Sequence, residues 1–155
     1  MSSTQQPFKV FQSDKDIARS LKLVATRDFK TGDVVSKIEG KSISGVFYHT
    51  VQVDEKQHIE LTNDLAYCNH SCEPSIIFDT TRMVTVALKD LKEGDELTFF
   101  YPSSEWDMAE SFSCVCGSSQ CIHEVKGAKY LTKDILSRYF INDHIQAQFS
   151  QLQSA

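Results

Sequence analysis

Tyr67-Cys68-Asn69-His70-Ser71-Cys72-Glu73-Pro74 sets Asn, His, Ser and Cys side by side, four residue types able to contact a ligand or a metal. Pro74 disfavours helix at Glu73, so the run reads as a polar loop. Hydrophobic segments flank it, His58-Ile59-Glu60-Leu61 before and Ser75-Ile76-Ile77-Phe78 after, which predicts a loop held between buried strands. Function concentrates in loops of that kind.

Working outward, Ser75-Ile76-Ile77-Phe78 and Met83-Val84-Thr85-Val86-Ala87 form a hairpin pattern around the turn Asp79-Thr80-Thr81-Arg82. Glu96-Leu97-Thr98-Phe99-Phe100-Tyr101 reads as a strand ended by Pro102. On the N-terminal side, Phe8-Lys9-Val10-Phe11 and Ser20 to Thr26 are candidate strands. Lys30-Thr31-Gly32-Asp33 is a turn into Val34-Val35-Ser36-Lys37-Ile38, and Gly45 to Val53 is rich in β-branched and aromatic residues. The C-terminal segment differs. Thr132 is a helix N-cap with Asp134 in the first turn, and Ile135, Tyr139, Ile145 and Phe149 share a face with Leu136 and Phe140 beside it. The pattern predicts a helix from Lys133 to Ser150, broken near Asn142-Asp143.

Cys114-Val115-Cys116-Gly117-Ser118-Ser119-Gln120-Cys121 places three thiols in a C-x-C-x4-C pattern. Cysteines two apart converge poorly into a disulfide, whereas a loop turning at Gly117 directs several sulfurs at one ion. Three local ligands leave tetrahedral Zn2+ one short. The fourth is Cys72, Cys68 or His123. Cys72, beside Pro74, is favoured, and Cys68 then remains a buried thiol.

The chain has 155 residues, 41% hydrophobic and 24% charged, which suits one globular domain. No stretch reaches the roughly 18 apolar residues of a membrane span, and the first residues lack a secretory pattern, so no membrane partner and an intracellular location, cytoplasmic or nuclear, are expected. A net charge of -5 argues against nucleic acid and for a cationic partner. Five cysteines in a reducing compartment favour metal over disulfides.

Taken in order, Asn69-His70-Ser71-Cys72-Glu73-Pro74, Glu93-Gly94-Asp95-Glu96-Leu97-Thr98-Phe99-Phe100-Tyr101 and the C-x-C-x4-C tail resemble the SET-domain family with its post-SET zinc segment. Glu105-Trp106-Asp107-Met108 and Gly127-Ala128-Lys129-Tyr130-Leu131 look like the small stand-alone SET proteins of fungi and other microbes. The resemblance implies a mainly β fold of small sheets around a knot-like crossing and a post-SET zinc site, to which the C-terminal pattern adds an α-helix. It covers a SET domain at 8–102 and a post-SET segment at 103–131, while the polar first residues read as a frayed N-terminus at 1–7 and the C-terminal pattern as a helix and tail at 132–155. It further implies S-adenosyl-L-methionine bound by Asn69 and His70 with Lys22 and Leu23 of the N-terminal motif, and zinc on Cys72, Cys114, Cys116 and Cys121. Tyr101 would be the catalytic tyrosine, with Phe99 and Tyr67 lining the substrate channel.

The chain also departs from the family pattern. Ser20 and Lys22 stand where the G-x-G motif has its glycines, Ile38 where a Tyr is common, Ala66 where an Arg is common, and Phe100 where an Asp often precedes the catalytic Tyr. Two readings result. The first is a SAM-dependent protein-lysine methyltransferase acting on a basic peptide or protein. The second is a SET fold that has left methyl transfer and serves as a biosynthetic enzyme for an apolar small molecule, or as a binding module.

Overall fold

The computed structural model describes residues 6–12, 21–45 and 50–154. Its strands are β1 (Phe8–Gln12), β2 (Leu21–Ala25), β3 (Val34–Lys37), β4 (Gly40–Ile43), β5 (Thr50–Gln52), β6 (His58–Leu61), β7 (Asn69–His70), β8 (Ile76–Asp79), β9 (Val84–Ala87), β10 (Glu96–Phe99), β11 (Phe112–Ser113) and β12 (Glu124–Val125). Two helices close the chain, α1 (Lys133–Leu136) and α2 (Asp143–Ser154). The strands form four small sheets, ordered β1-β2-β10-β7, β3-β9-β8, β4-β6-β5 and β11-β12. The expectations for Ser20 and for residues 46–49 lie outside the described residues.

One pairing positions the site. β7 runs parallel to β10, with Asn69 opposite Thr98 and His70 opposite Phe99. Parallel neighbours need a crossover connection, and here β8 and β9 supply it. The connecting loop is tied to β10 at both ends, Ser71 N–H to Phe99 O at 3.1 Å and Ser75 N–H to Thr98 O at 3.1 Å. The polar run expected as loop is therefore part strand. A 3-10 turn, Asp64–Tyr67, leads into it, capped by Asn63, whose side chain accepts from Leu65 N–H.

Alternation along the end of β10 separates two cores. Phe99 faces the main core with Leu23, Leu65, Ile76, Phe78 and Leu97. Phe100, just past the strand, faces a second cluster with Leu136, Ile141 and Ile145. The strand expected through Tyr101 stops at Phe99, because Tyr101–Ser103 coils into a 3-10 turn containing Pro102.

The C-terminal helix is two helices. Thr132 caps α1 as expected, accepting from Ile135 N–H at 3.2 Å. Residues 137–142 are non-helical, a wider break than the sequence predicts, and α2 continues to Ser154 rather than Ser150. Tertiary bonds replace helical ones across the break. Asn142 is 1% exposed, its N–H donates to Ser103 O, and its side-chain NH2 donates to Phe78 O (2.8 Å) and Ser103 O (3.0 Å).

Candidate functional site

Tyr101 lies where the main core meets the cysteine cluster, packing against both. Its hydroxyl donates to Cys68 O at 2.9 Å, and its backbone N–H donates to His70 Nδ1 at 3.1 Å. The segment preceding and forming β7 thus holds Tyr101 at both ends. Burial pushes the phenol well above its ordinary pKa, with Cys68 and Glu105 adding to the shift, so it is a neutral donor at physiological pH. Phe99 stacks on Phe78 (centroids 3.9 Å apart) and tilts against Tyr101 at 4.7 Å, giving the site an apolar wall.

His70 is wedged among the rings of Phe100, Tyr101 and Phe112, at 5.5, 5.3 and 5.9 Å. Burial pushes its imidazole pKa down to about 4, so the ring is neutral. Nε2 lies 3.4 Å from Cys72 Sγ. Asn69 is exposed and donates its amide to Leu21 O at 3.0 Å, bridging β7 to the start of β2. Leu23 has a fully buried side chain in the core, so it supports the sheet and offers a cofactor no side chain. Tyr67 is 40% exposed at the end of the 3-10 turn.

Lys22 pairs with Phe11 across β1 and β2, and its ammonium sits 5.5 Å from the Phe11 ring centroid. The charge therefore leans toward β1, while β10 and Tyr101 lie on the other side of β2. The remaining departures from the family pattern are absorbed by packing or solvent. Ile38 is 4% exposed in the core, Ala66 is exposed on the 3-10 turn, and Phe100 stacks on Tyr139 at 3.7 Å.

The sulfurs of Cys72, Cys114, Cys116 and Cys121 lie within 4.8 Å of one another. A tetrahedral site with Zn–S bonds near 2.3 Å needs sulfurs about 3.8 Å apart, and Cys72 and Cys114 are 3.9 Å apart. The Ile122 N–H points at Cys72 Sγ from 3.3 Å, a donor suited to a thiolate. The four residues fit a zinc ion. Cys68 stands apart, its thiol donating to Leu97 O at 3.4 Å and held protonated by burial and by Glu96. His123 is exposed, and its carbonyl accepts from Cys114 N–H.

Three residues that sequence reasoning did not place at the site lie around it. Phe112 covers His70 and Tyr101 from β11. Tyr139 donates its hydroxyl to Cys72 O at 2.8 Å. Glu105 is a buried carboxyl that accepts from Gln52 N–H (3.0 Å) and Ser104 Oγ (2.8 Å). The only sequence signal for Phe112 was an aromatic residue two places before a clustered cysteine.

A family model for the SET domain matches residues 20–102. The chain is 46% identical over 101 residues to Methyltransferase flvH of Aspergillus flavus, covering 64% of this chain and 57% of that protein. It is 32% identical over 80 residues to a histone-lysine N-methyltransferase, H3 lysine-4 specific, of Emericella nidulans, covering 45% of this chain and 7% of that one. The chain therefore spans little more than half of one curated relative and a small part of the other. Among solved structures, KRYPTONITE in complex with mCHG DNA and SAH superposes with a TM-score of 0.60 at 21% identity, over 76% of this chain and 28% of that chain. The methyltransferase domain of human SETMAR gives 0.59 at 19%, over 79% and 59%. These likenesses show the fold. Among the described residues, no helix is long and apolar enough to cross a membrane.

Proposed function

Because this chain belongs to the SET-domain family, we propose that it transfers a methyl group from S-adenosylmethionine to an amine, with the side chain of a lysine in a basic peptide or protein as the acceptor. The observation that carries the reading is Tyr101, held at both ends by residues 68–70 beside the exposed Asn69 and against the Phe99–Phe78 stack. The named relatives, a methyltransferase and a histone-lysine N-methyltransferase, support it. So does a net charge of -5, which favours a cationic acceptor over nucleic acid. The proposed SET domain is 8–102, with a post-SET segment at 103–131 and the helices and tail at 132–155. The proposed location is inside the cell, cytoplasmic or nuclear.

Asn69 and the start of β2 at Leu21 and Lys22 would hold the cofactor, with the Lys22 ammonium drawn aside onto Phe11. Bound there, S-adenosylmethionine would supply an electrophilic methyl for the lone pair of the acceptor amine. A lysine ammonium with a pKa near 10.4 must first lose its proton, at a cost of roughly 4–5 kcal/mol at neutral pH. The Phe99–Phe78 wall excludes water and lowers that pKa. With its hydrogen given to Cys68 O, the Tyr101 oxygen keeps lone pairs to accept from the amine and aim it. Cys72, Cys114, Cys116 and Cys121 would hold Zn2+ as a structural ion.

Calorimetric titration of the zinc-loaded chain with S-adenosylhomocysteine tests this reading. Saturable heat at micromolar to low-millimolar ligand, in the range of about -8 to -4 kcal/mol of binding free energy, is expected, and it should vanish in Asn69→Ala. Absence of both heat and thermal shift in the parent protein would sink the reading in favour of a SET fold that has left methyl transfer.

A further inference from the structure

The geometry points to His70 as a positioning residue that couples the four-cysteine metal centre to Tyr101 through its two ring nitrogens. The inference rests on the reading of Tyr101 as the catalytic tyrosine for its functional meaning. Its physical content does not depend on methyl transfer.

A backbone N–H can only donate, so the contact from Tyr101 N to His70 Nδ1 at 3.1 Å requires an unprotonated Nδ1. The ring hydrogen then sits on Nε2, 3.4 Å from Cys72 Sγ, as an N–H···S bond. One imidazole thus accepts from the tyrosine backbone and donates to a metal-binding sulfur. The Tyr101 N–H lies two residues past the end of β10 at Phe99, where the ladder with β7 has ended, so the side chain of His70 takes the place of the next ladder acceptor. Phe100 and Phe112 pack on the ring and fix its orientation. The sulfur has a second donor in Ile122 N–H. Outer donors of this kind orient metal ligands and tune their charge. The mechanical consequence is that displacement of Cys72, by metal loss or replacement, reaches the Tyr101 backbone through a single rigid ring.

Two substitutions separate the halves of the bridge. In His70→Asn the side-chain oxygen falls near the place of Nδ1 and can still accept from Tyr101, but nothing reaches Cys72. In His70→Gln the amide nitrogen falls near the place of Nε2 and can still donate to sulfur, but nothing accepts from Tyr101. The readouts are zinc release from the full, zinc-loaded chain to a chromophoric chelator, and hydrogen exchange at the Tyr101 amide by NMR. His70→Asn should release zinc about 10–100-fold faster while keeping Tyr101 protected. His70→Gln should keep near-parental zinc release while Tyr101 exchanges about tenfold faster. Both variants behaving like the parent, or both losing both properties equally, would overturn the coupling. The parent protein provides a check that no variant can obscure. Nitrogen shifts of the His70 ring should report hydrogen on Nε2, and in the 113Cd-substituted chain that hydrogen should couple to the metal. A ring protonated at Nδ1 would overturn the proposal. None of these readouts uses S-adenosylmethionine, so failure of methyl transfer and failure of the bridge are distinguishable.

Discussion

Tyr101 is the proposed catalytic group, and Glu105 is a buried carboxyl whose proton is linked to folding. Tyr101 was a candidate because the resemblance to the SET family implies it at the end of the Glu93–Tyr101 motif, and the structure adds the two bonds that hold it. Tyr101→Phe removes the hydroxyl that, in the proposed reaction, orients the amine, and methyl transfer should fall roughly 100-fold while stability changes by about 1 kcal/mol, read from steady-state kinetics and urea unfolding. The burial of Glu105 was not legible, since a single acidic residue after a proline turn reads as surface. Burial raises its pKa from the ordinary 4.5 to about 7, against the pull of the Gln52 and Ser104 hydrogen bonds. Between those two values the folded chain retains a proton that the unfolded chain loses, so stability falls as pH rises through the window. The slope is at most about 1.4 kcal/mol per pH unit, levelling off above pH 7. Glu105→Gln keeps an acceptor for both donors, and unfolding midpoints measured from pH 4 to 8 should lose that slope.

The elements differ in how far local pattern determines them. β8, β9 and β10 carry alternating or continuous apolar residues and were readable to within a residue or two. β4 was missed because Gly40-Lys41-Ser42-Ile43 looks polar. Gly40 is there for close approach, as a Cβ would stand 2.6 Å from Glu60 O. β7 was missed because two polar residues form a strand only when β10 is already beside them. The turn at Gly127 has a similar non-local cause, with φ at +125° and a Cβ that would collide with the Trp106 carbonyl. Gly127→Ala should cost roughly 1–3 kcal/mol in chemical denaturation. The break between α1 and α2 depends on Asn142, which also accepts from Thr80 N–H at 3.0 Å. Asn142→Ala removes the side-chain partner of Thr80 N–H and Phe78 O, while Ser103 O keeps the backbone N–H, and should destabilise the chain by about 3 kcal/mol, with α2 losing hydrogen-exchange protection first.

At the scale of the whole molecule, the cysteine cluster joins the middle of the chain to its tail. Cys72 comes from the loop after β7, while Cys114, Cys116 and Cys121 follow β11 and precede β12. A zinc ion there would be worth on the order of 10–16 kcal/mol in apparent binding free energy, so it would stabilise more than the post-SET segment alone. Cys72→Ser and Cys116→Ser should lose zinc alike by metal analysis, whereas Cys68→Ser should retain full stoichiometry. A Cys72→Ser protein that kept its metal would exclude Cys72 as a ligand. The sequence by itself determined the β-rich class, the strand-forming segments, the three clustered thiols and the ordered motifs of the SET family, because each depends on residue type and short spacing. Only the tertiary structure decided which cysteine completes the cluster, where the Lys22 charge points, and how Cys68, His70 and Tyr101 are joined. Those facts depend on contacts between residues as much as 50 positions apart, such as Ile122 N–H on Cys72 Sγ, and on a parallel pairing that no local pattern encodes.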